Sequence, residues 1–555
     1  MSKPYMRWLP SFALTIASLF FTTLPAVAAE FIIVPLGKTR ISISLDSLEN
    51  YANQGKINPQ EPLATYLALL SPEQQQSLRQ FLQTRYTPPD ISIQQFVNSP
   101  LLVAFLIHVG NIIQTQSEEN GADAIRASLI DVGNAPNGFT VLEVMRQFPS
   151  PEIRLNVELA LTTLTKVFAF IRQTHGVTQS LAILSEIEAQ KATITDFSKM
   201  PDLRISGKLY TSTKQTLTVN NHYNNRRFEV DIYLPKPISP EGQNSQTLSY
   251  PVIVISHGLA SDRSRFENLA KHLTSYGFVV AVPQHPGSDY QQLQSLLNGD
   301  AKDFFEPEQF LDRPRDITEL LNQLEKLNST DFNQQLNLQN VGVIGHSLGG
   351  YTALTLGGAT LDFTQLKTDC QQPNIPLNPS LFLQCRALEL PPENYALQDP
   401  RVKAIFILNP VNSSILGKSG LSRIKIPVFI TASTEDFLAP ALLEQLNAFT
   451  WLTTSHKYLV LQNHATHFYD ITSENASKVL GNTSIIIPTS EISRSYIKAL
   501  STAFFKTYLS QNAQYKPYLN AAYTQAISDP LYPVSLIQSL TPNQLTNAIN
   551  GITSE

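Results

Sequence analysis

Apolar and polar positions divide the chain into two textures. From about residue 200 to 510, short continuous apolar runs alternate with longer amphipathic stretches. The runs are 251–256, 278–282, 341–344, 402–408, 427–431 and 457–461, the last of the series. Each is near-continuous rather than alternating, the pattern of a strand buried on both faces. Stretches 263–276, 310–327 and 492–508 read as helices. Ahead of them, 215–219 and 228–234 read as paired strands joined through 220–225, and 235–249 as a polar loop. Strands that alternate with helices predict a mostly parallel sheet covered on both faces. Residues 357–400 break this rhythm directly after the helix that follows the 341 strand. An insertion there is placed to overhang the end of the sheet.

The first part of the chain reads differently. Residues 31–45 suggest two strands around Gly37-Lys38, with Ile41, Ile43 and Leu45 alternating against Ser42 and Ser44. Helical signals then dominate to about 192. Ser71-Pro72-Glu73-Gln74 carries an N-cap serine, a proline at the first helical position and a glutamine three residues after the cap. Ser150-Pro151-Glu152 suggests a second start, after which Leu155, Leu159, Leu164, Val167, Phe168 and Ile171 mark one buried helical face. Residues 101–107 are apolar on every side, which fits a bundle centre better than a docking surface. The expected organisation is a mainly helical accessory domain at 30–200, an α/β domain at 201–515 with the 357–400 insertion, and a C-terminal extension at 516–555.

The leader has its own pattern. Lys3 and Arg7 precede a broken apolar core at 9–24, and Ala26-Val27-Ala28 supplies a cleavage signal. Residues 1–29 are therefore expected to be a signal peptide, with an uncleaved anchor as the alternative. Export to the periplasm or medium follows. It makes a disulfide the natural state of the two cysteines, Cys370 and Cys385. The 555 residues carry a net charge of −5 and show no basic run. Nucleic-acid binding thus has no electrostatic footing, membrane contact is not indicated, and oligomeric state stays open.

The chemistry centres on Val341-Gly342-Val343-Ile344-Gly345-His346-Ser347-Leu348-Gly349-Gly350. An apolar strand meets G-x-S-x-G and a helix-like stretch follows, as a nucleophile elbow requires. A glycine-rich turn with an idle serine satisfies the motif alone, so the partners decide. A serine nucleophile needs a base, an acid that orients it and an oxyanion hole. Each should lie where a strand ends. His467 follows the 457–461 strand, with His464 as the alternative. Asp436 or Glu435 follows the 427–431 strand, and Asp436 is preferred. Leu348 N–H supplies one oxyanion donor. The turn His257-Gly258-Leu259 follows the 251–256 strand and offers Leu259 N–H as the second.

Residues 205–510 resemble the α/β-hydrolase superfamily. Ser256-His257-Gly258-Leu259 together with Gly345-His346-Ser347-Leu348-Gly349-Gly350 is similar to the platelet-activating-factor acetylhydrolase and dienelactone-hydrolase-like branches. With Pro283-Gln284-His285-Pro286-Gly287-Ser288, Arg313-Pro314-Arg315-Asp316 and a helical N-terminal domain, the whole chain resembles a family of exported bacterial α/β hydrolases. The resemblance implies esterase or lipase chemistry on a small-molecule or lipid ester, and no particular substrate. One departure stands out: the acetylhydrolase branch has its acid after the strand that follows the nucleophile unit, where this chain has Asn409. The expected mechanism is a Ser-His-Asp triad with an acyl-enzyme and no metal or cofactor. The rival readings are amide or peptide hydrolysis, and a non-catalytic binding protein on a hydrolase scaffold. The helical domain and the insertion are expected to shape the acyl pocket.

Overall fold

Side chains along a strand point alternately to opposite faces. In the computed structural model, Val252 and Val254 accordingly enter one buried cluster while Ile253 and Ile255 enter another. The model describes residues 28–86, 93–221, 225–238, 249–371, 377–469 and 490–551. All but the last two residues of the expected signal peptide lie outside these, as does His222. No helix among the described residues is long and apolar enough to cross a membrane.

The described chain forms two units, 28–86 with 106–160, and 93–105 with 161–551. The first holds a four-stranded sheet of order β2-β1-β4-β3. Its strands are β1 (Phe31–Leu36), β2 (Thr39–Ser44), β3 (Ile113–Gln114) and β4 (Glu152–Leu155). The hairpin around Gly37 is as expected, and Ser71 and Gln74 close a reciprocal capping box. The helix start expected at Ser150-Pro151-Glu152 is instead β4, which pairs in parallel with β1. The helix begins at Val157, where Asn156 Oδ1 accepts the Leu159 N–H. Leu45, Tyr51, Leu63 and Phe148 fill the core of this unit.

The second unit holds a nine-stranded sheet of order β13-β12-β11-β10-β9-β7-β8-β6-β5. Its members are β5 (Tyr210–Asn221), β6 (Arg226–Pro237), β7 (Tyr250–Ser256), β8 (Val279–Pro283), β9 (Leu336–His346), β10 (Val402–Leu408), β11 (Val428–Ser433), β12 (Lys457–Gln462) and β13 (Val534–Ile537). Strands β7 to β12 run parallel, and β5, β6 and β13 add antiparallel pairs at the two edges. The 457–461 run is thus the last parallel strand but not the last of the sheet. Residues 516–551 supply β13 and a helix whose Leu545 and Ala548 join the main core. Helices Glu267–Ser275 and Glu491–Tyr508 cover one face through Leu273, Leu500 and Phe504. Gln309–Leu327 and Leu348–Leu356 cover the other through Ile317, Leu320 and Leu354. This is the α/β-hydrolase arrangement.

Two apolar stretches differ from their expected burial. The 35-residue helix Val157–Lys191 buries Val177 and Leu181 of its second half in the main core. That packing carries residues 161–200 into the second unit. The stripe through Leu164, Phe168 and Ile171 is open, with Phe168 61% exposed. A 3.6-residue period shows that a face is apolar but not that anything covers it. Similarly, 101–107 is not a bundle centre. Helix Pro100–Gly110 sets Leu101 and Ala104 against Leu381 and Phe382 of the insertion, and leaves Phe105 and Ile107 exposed.

Candidate active site

Strand register places the site. Ser256 pairs with Gly345, His346 with Leu408, Leu408 with Thr431, and Ser433 with Gln462. The strands β7, β9, β10, β11 and β12 therefore end level with one another, and their following loops open on one edge of the sheet.

Ser347 sits at the sharpest of these ends, with φ 55° and ψ −117°. A non-glycine residue rarely holds such a conformation, and it persists only where its surroundings over-determine it. Here Ser347 N donates to Leu408 O at 2.9 Å, while Ser347 O accepts the N–H of Gly350 and of Val411. The flanking glycines answer to space rather than to dihedral freedom. A Cβ on Gly345 would stand 2.0 Å from Gly349 O, and one on Gly349 2.1 Å from Ser256 O.

The structure brings Ser347, His467 and Asp436 into one chain of contacts. Ser347 Oγ lies 2.9 Å from His467 Nε2, and His467 Nδ1 lies 2.7 Å from Asp436 Oδ2. The other carboxylate oxygen accepts the N–H of Leu438 and Ala439 at 3.0 and 2.7 Å. That leaves Nδ1 as the protonated ring nitrogen and Nε2 free to accept from Ser347. All three side chains are buried. The alternatives pair with each other instead: His464 Nδ1 meets Glu435 Oε1 at 2.8 Å, with the two side chains 62% and 49% exposed. Asn409 does not approach the imidazole as an acid would. Its Nδ2 donates to Ser433 Oγ at 2.9 Å and to Thr466 O at 3.1 Å, tying down the loop that carries His467.

The turn after β7 lies directly against Ser347. A Cβ on Gly258 would stand 3.4 Å from Ser347 Cβ. Arg313, wholly buried, donates from Nη1 to His257 O at 2.7 Å and from Nη2 to Gly258 O at 3.3 Å. In a trans peptide the N–H points opposite to the preceding C=O. Holding Gly258 O toward the guanidinium therefore turns Leu259 N–H away from it. Leu348 N–H opens the helix behind Ser347, where the first amides lack intrahelical acceptors and the dipole is positive. Burial lowers the Arg313 pKa to about 9, opposed chiefly by Asp289, so the group stays a cation at neutral pH.

Further histidines brace the turn. His257 Nδ1 donates to Gly258 O at 2.8 Å, and its Nε2 accepts the His285 N–H at 3.1 Å. Full burial drives the His285 pKa well below its ordinary value, so its neutral ring bonds Ser256 Oγ. His346 Nε2 donates to His467 O at 2.8 Å. The Arg313 role went unread, although a signal existed. Arg313 falls on the apolar stripe of its helix with Phe310, Ile317 and Leu320, where a charge needs buried acceptors.

A cavity of about 310 Å³ opens at Ser347 and His467, walled by Leu259, Phe304, Leu383, Val411, Leu438 and Phe468. Leu101, Arg265, and Pro379 and Ser380 of the insertion also line it. A larger open groove of about 780 Å³ runs between the Val157–Lys191 helix and the 434–440 loop. Ser347 does not line it, so the smaller cavity is the one that can hold a reacting group. The insertion is closed by the Cys370–Cys385 disulfide, 15 residues apart.

Comparison with known proteins agrees with this architecture. Residues 28–156 match a family described as "Alpha/beta hydrolase of unknown function (DUF1400)", and residues 222–370 match one described as "Chlorophyllase". A platelet-activating factor acetylhydrolase of Canis lupus familiaris is 28% identical over 138 residues. That match spans 19% of this chain and 31% of the dog protein. Fold and matches together make the chain a member of the α/β-hydrolase superfamily.

Proposed function

We propose that the protein hydrolyses carboxylic esters through a serine acyl-enzyme. The observation that carries this reading is the contact chain Ser347–His467–Asp436 opening into an apolar cavity. Ser347 Oγ attacks the ester carbonyl as His467 Nε2 takes its proton. Asp436 keeps the imidazole tautomer and stabilises the imidazolium. The Leu259 and Leu348 N–H groups receive the oxyanion, each worth a few kcal/mol of barrier. Collapse of the tetrahedral intermediate expels the alkoxide, which His467 protonates. Water, deprotonated by His467, then attacks the acyl-enzyme, releasing the acid and restoring Ser347. The apolar wall favours an acyl or alkyl substituent over a peptide backbone, whose amides would be left without partners there. Export after cleavage of the leader completes the proposal, and the disulfide is consistent with it.

A fluorophosphonate probe and p-nitrophenyl esters test the reading. Wild-type protein should be labelled at Ser347 and turn over the esters, while Ser347→Ala should lose both with an unchanged circular dichroism spectrum. Esterase turnover retained in Ser347→Ala would refute the assignment.

A further inference from the structure

Among the described residues, one arginine and no lysine lines the apolar cavity at Ser347. Arg265 belongs to the turn Arg263–Phe266, whose cap is Asp262. Its guanidinium carbon lies 5.6 Å from the centre of the Tyr290 ring, a cation–π contact that steadies the group without neutralising it. The neighbouring carboxylates are engaged elsewhere. Asp262 accepts the Ser264 N–H, and Asp289 accepts from Gln284 Nε2 and the Gln292 N–H. Glu267 pairs with Lys271, and Glu229 with Arg263. Among the described residues no carboxylate forms an ion pair with Arg265.

Arg265 is half-buried, and a cation set in an apolar wall is stabilised by a counter-ion. Three other arginines of this unit have theirs: Arg226 meets Asp312 and Asp316, Arg386 meets Asp303, and Arg401 meets Asp399; Arg313 is held by the His257 and Gly258 carbonyls instead. Arg265 instead lines the space the substrate would occupy. Its planar fork suits the paired oxygens of a carboxylate or phosphate. We propose that Arg265 is an anion subsite, and that the preferred ester carries a carboxylate or phosphate beyond its scissile bond. The proposal deepens the ester-hydrolase reading and rests on it.

Binding and turnover test it separately. In the Ser347→Ala background, isothermal titration compares hexyl phosphate, heptanoate and hexanol. At least one anion should bind about 10-fold or more tightly than the alcohol, the scale of a charge-assisted contact. Arg265→Gln should abolish that preference and Arg265→Lys retain part of it. A preference for hexyl phosphate identifies phosphate as the natural anion, and one for heptanoate a carboxylate. For turnover, two matched pairs are compared: mono-p-nitrophenyl glutarate with p-nitrophenyl butyrate, and 1-butyrylglycerol 3-phosphate with monobutyrin. The first pair carries the anion on the acyl side, the second on the alcohol side. In wild type the anionic-to-neutral ratio of kcat/KM should favour the anion in one pair, and Arg265→Gln should lower that ratio about 10-fold. Equal binding of anions and alcohol, or a preference that survives Arg265→Gln, overturns the subsite. Absence of both ester turnover and fluorophosphonate labelling overturns the hydrolase reading instead, and the titration still reports on Arg265.

Discussion

Asp436 and Glu435 are adjacent in the chain and meet different histidines. The buried pair has one carboxylate oxygen on the imidazole and the other on two backbone amides, so its geometry is held from both sides. The exposed pair is solvated and worth about 0–1 kcal/mol. Asp436→Asn should therefore lower ester turnover by about 10⁴, because the amide cannot stabilise an imidazolium. Glu435→Gln should leave it within a few-fold. Steady-state kinetics of the two purified variants decide, and a crippled Glu435→Gln with an active Asp436→Asn reverses the roles. These positions were legible because each follows an apolar run, and a parallel sheet brings such ends to one edge. What the sequence does not display is direction. Nothing in the string distinguishes His467, turned inward, from His464, turned out. Nor does it show that Asn409, standing where the acetylhydrolase branch has its acid, holds the histidine loop through Thr466 O.

At the scale of elements, one carboxylate gathers many of the contacts that hold the insertion. Glu444 is wholly buried. Its Oε1 accepts from Asn378, Ser380, Gln384 and Ser413 side chains, and its Oε2 from the Asn412 and Ser413 N–H groups. The insertion and the loop after β10 are thereby stitched together, and both wall the cavity through Ser380 and Val411. Glu444→Gln puts an NH₂ group among donors. It should cost about 1–3 kcal/mol of stability and broaden the acyl chain-length profile. Urea unfolding and a p-nitrophenyl ester series from acetate to decanoate measure the two. A stable variant with an unchanged profile would remove Glu444 from this role. The 357–400 break in rhythm announced an insertion, but its anchor lies outside it, in a helix with no motif. The same limit explains helix Val157–Lys191, whose apolar stripe was plain in sequence while its exposure was not.

For the molecule as a whole, the two cores respond to pH through what they bury. His272, on the helix Glu267–Ser275, bonds Thr502 Oγ1 of the closing helix at 3.1 Å. Burial, aided by Lys498, lowers its pKa to about 4 from 6.5. The neutral ring is thus compatible with the fold above pH 6.5. As pH falls from 6.5 toward 4 the unfolded chain binds a proton that the folded one refuses, and stability drops by on the order of 3 kcal/mol. Asp316 has the opposite sign: burial pushes its pKa up to about 6, so the folded state takes a proton first. Comparison with His272→Gln at each pH isolates the histidine. Between pH 7 and 4.5 the wild type should lose more unfolding free energy than the variant. Equal losses in urea titrations would show that His272 is not the acid-sensitive group.

The level ends of β7, β9, β10, β11 and β12 have a consequence for the time at which activity arises. Ser347 and His467 are 120 residues apart in the chain. At ordinary rates of synthesis that is about 6–24 s of elongation between the proposed nucleophile and its proposed base. Strand β13, which seals the far edge beside β12, is made later still. A nascent chain that already displays the serine has no partner to deprotonate it. In the proposed mechanism the hydrolase is therefore chemically silent for most of its own manufacture, and acquires reactivity only as the last parallel strand docks.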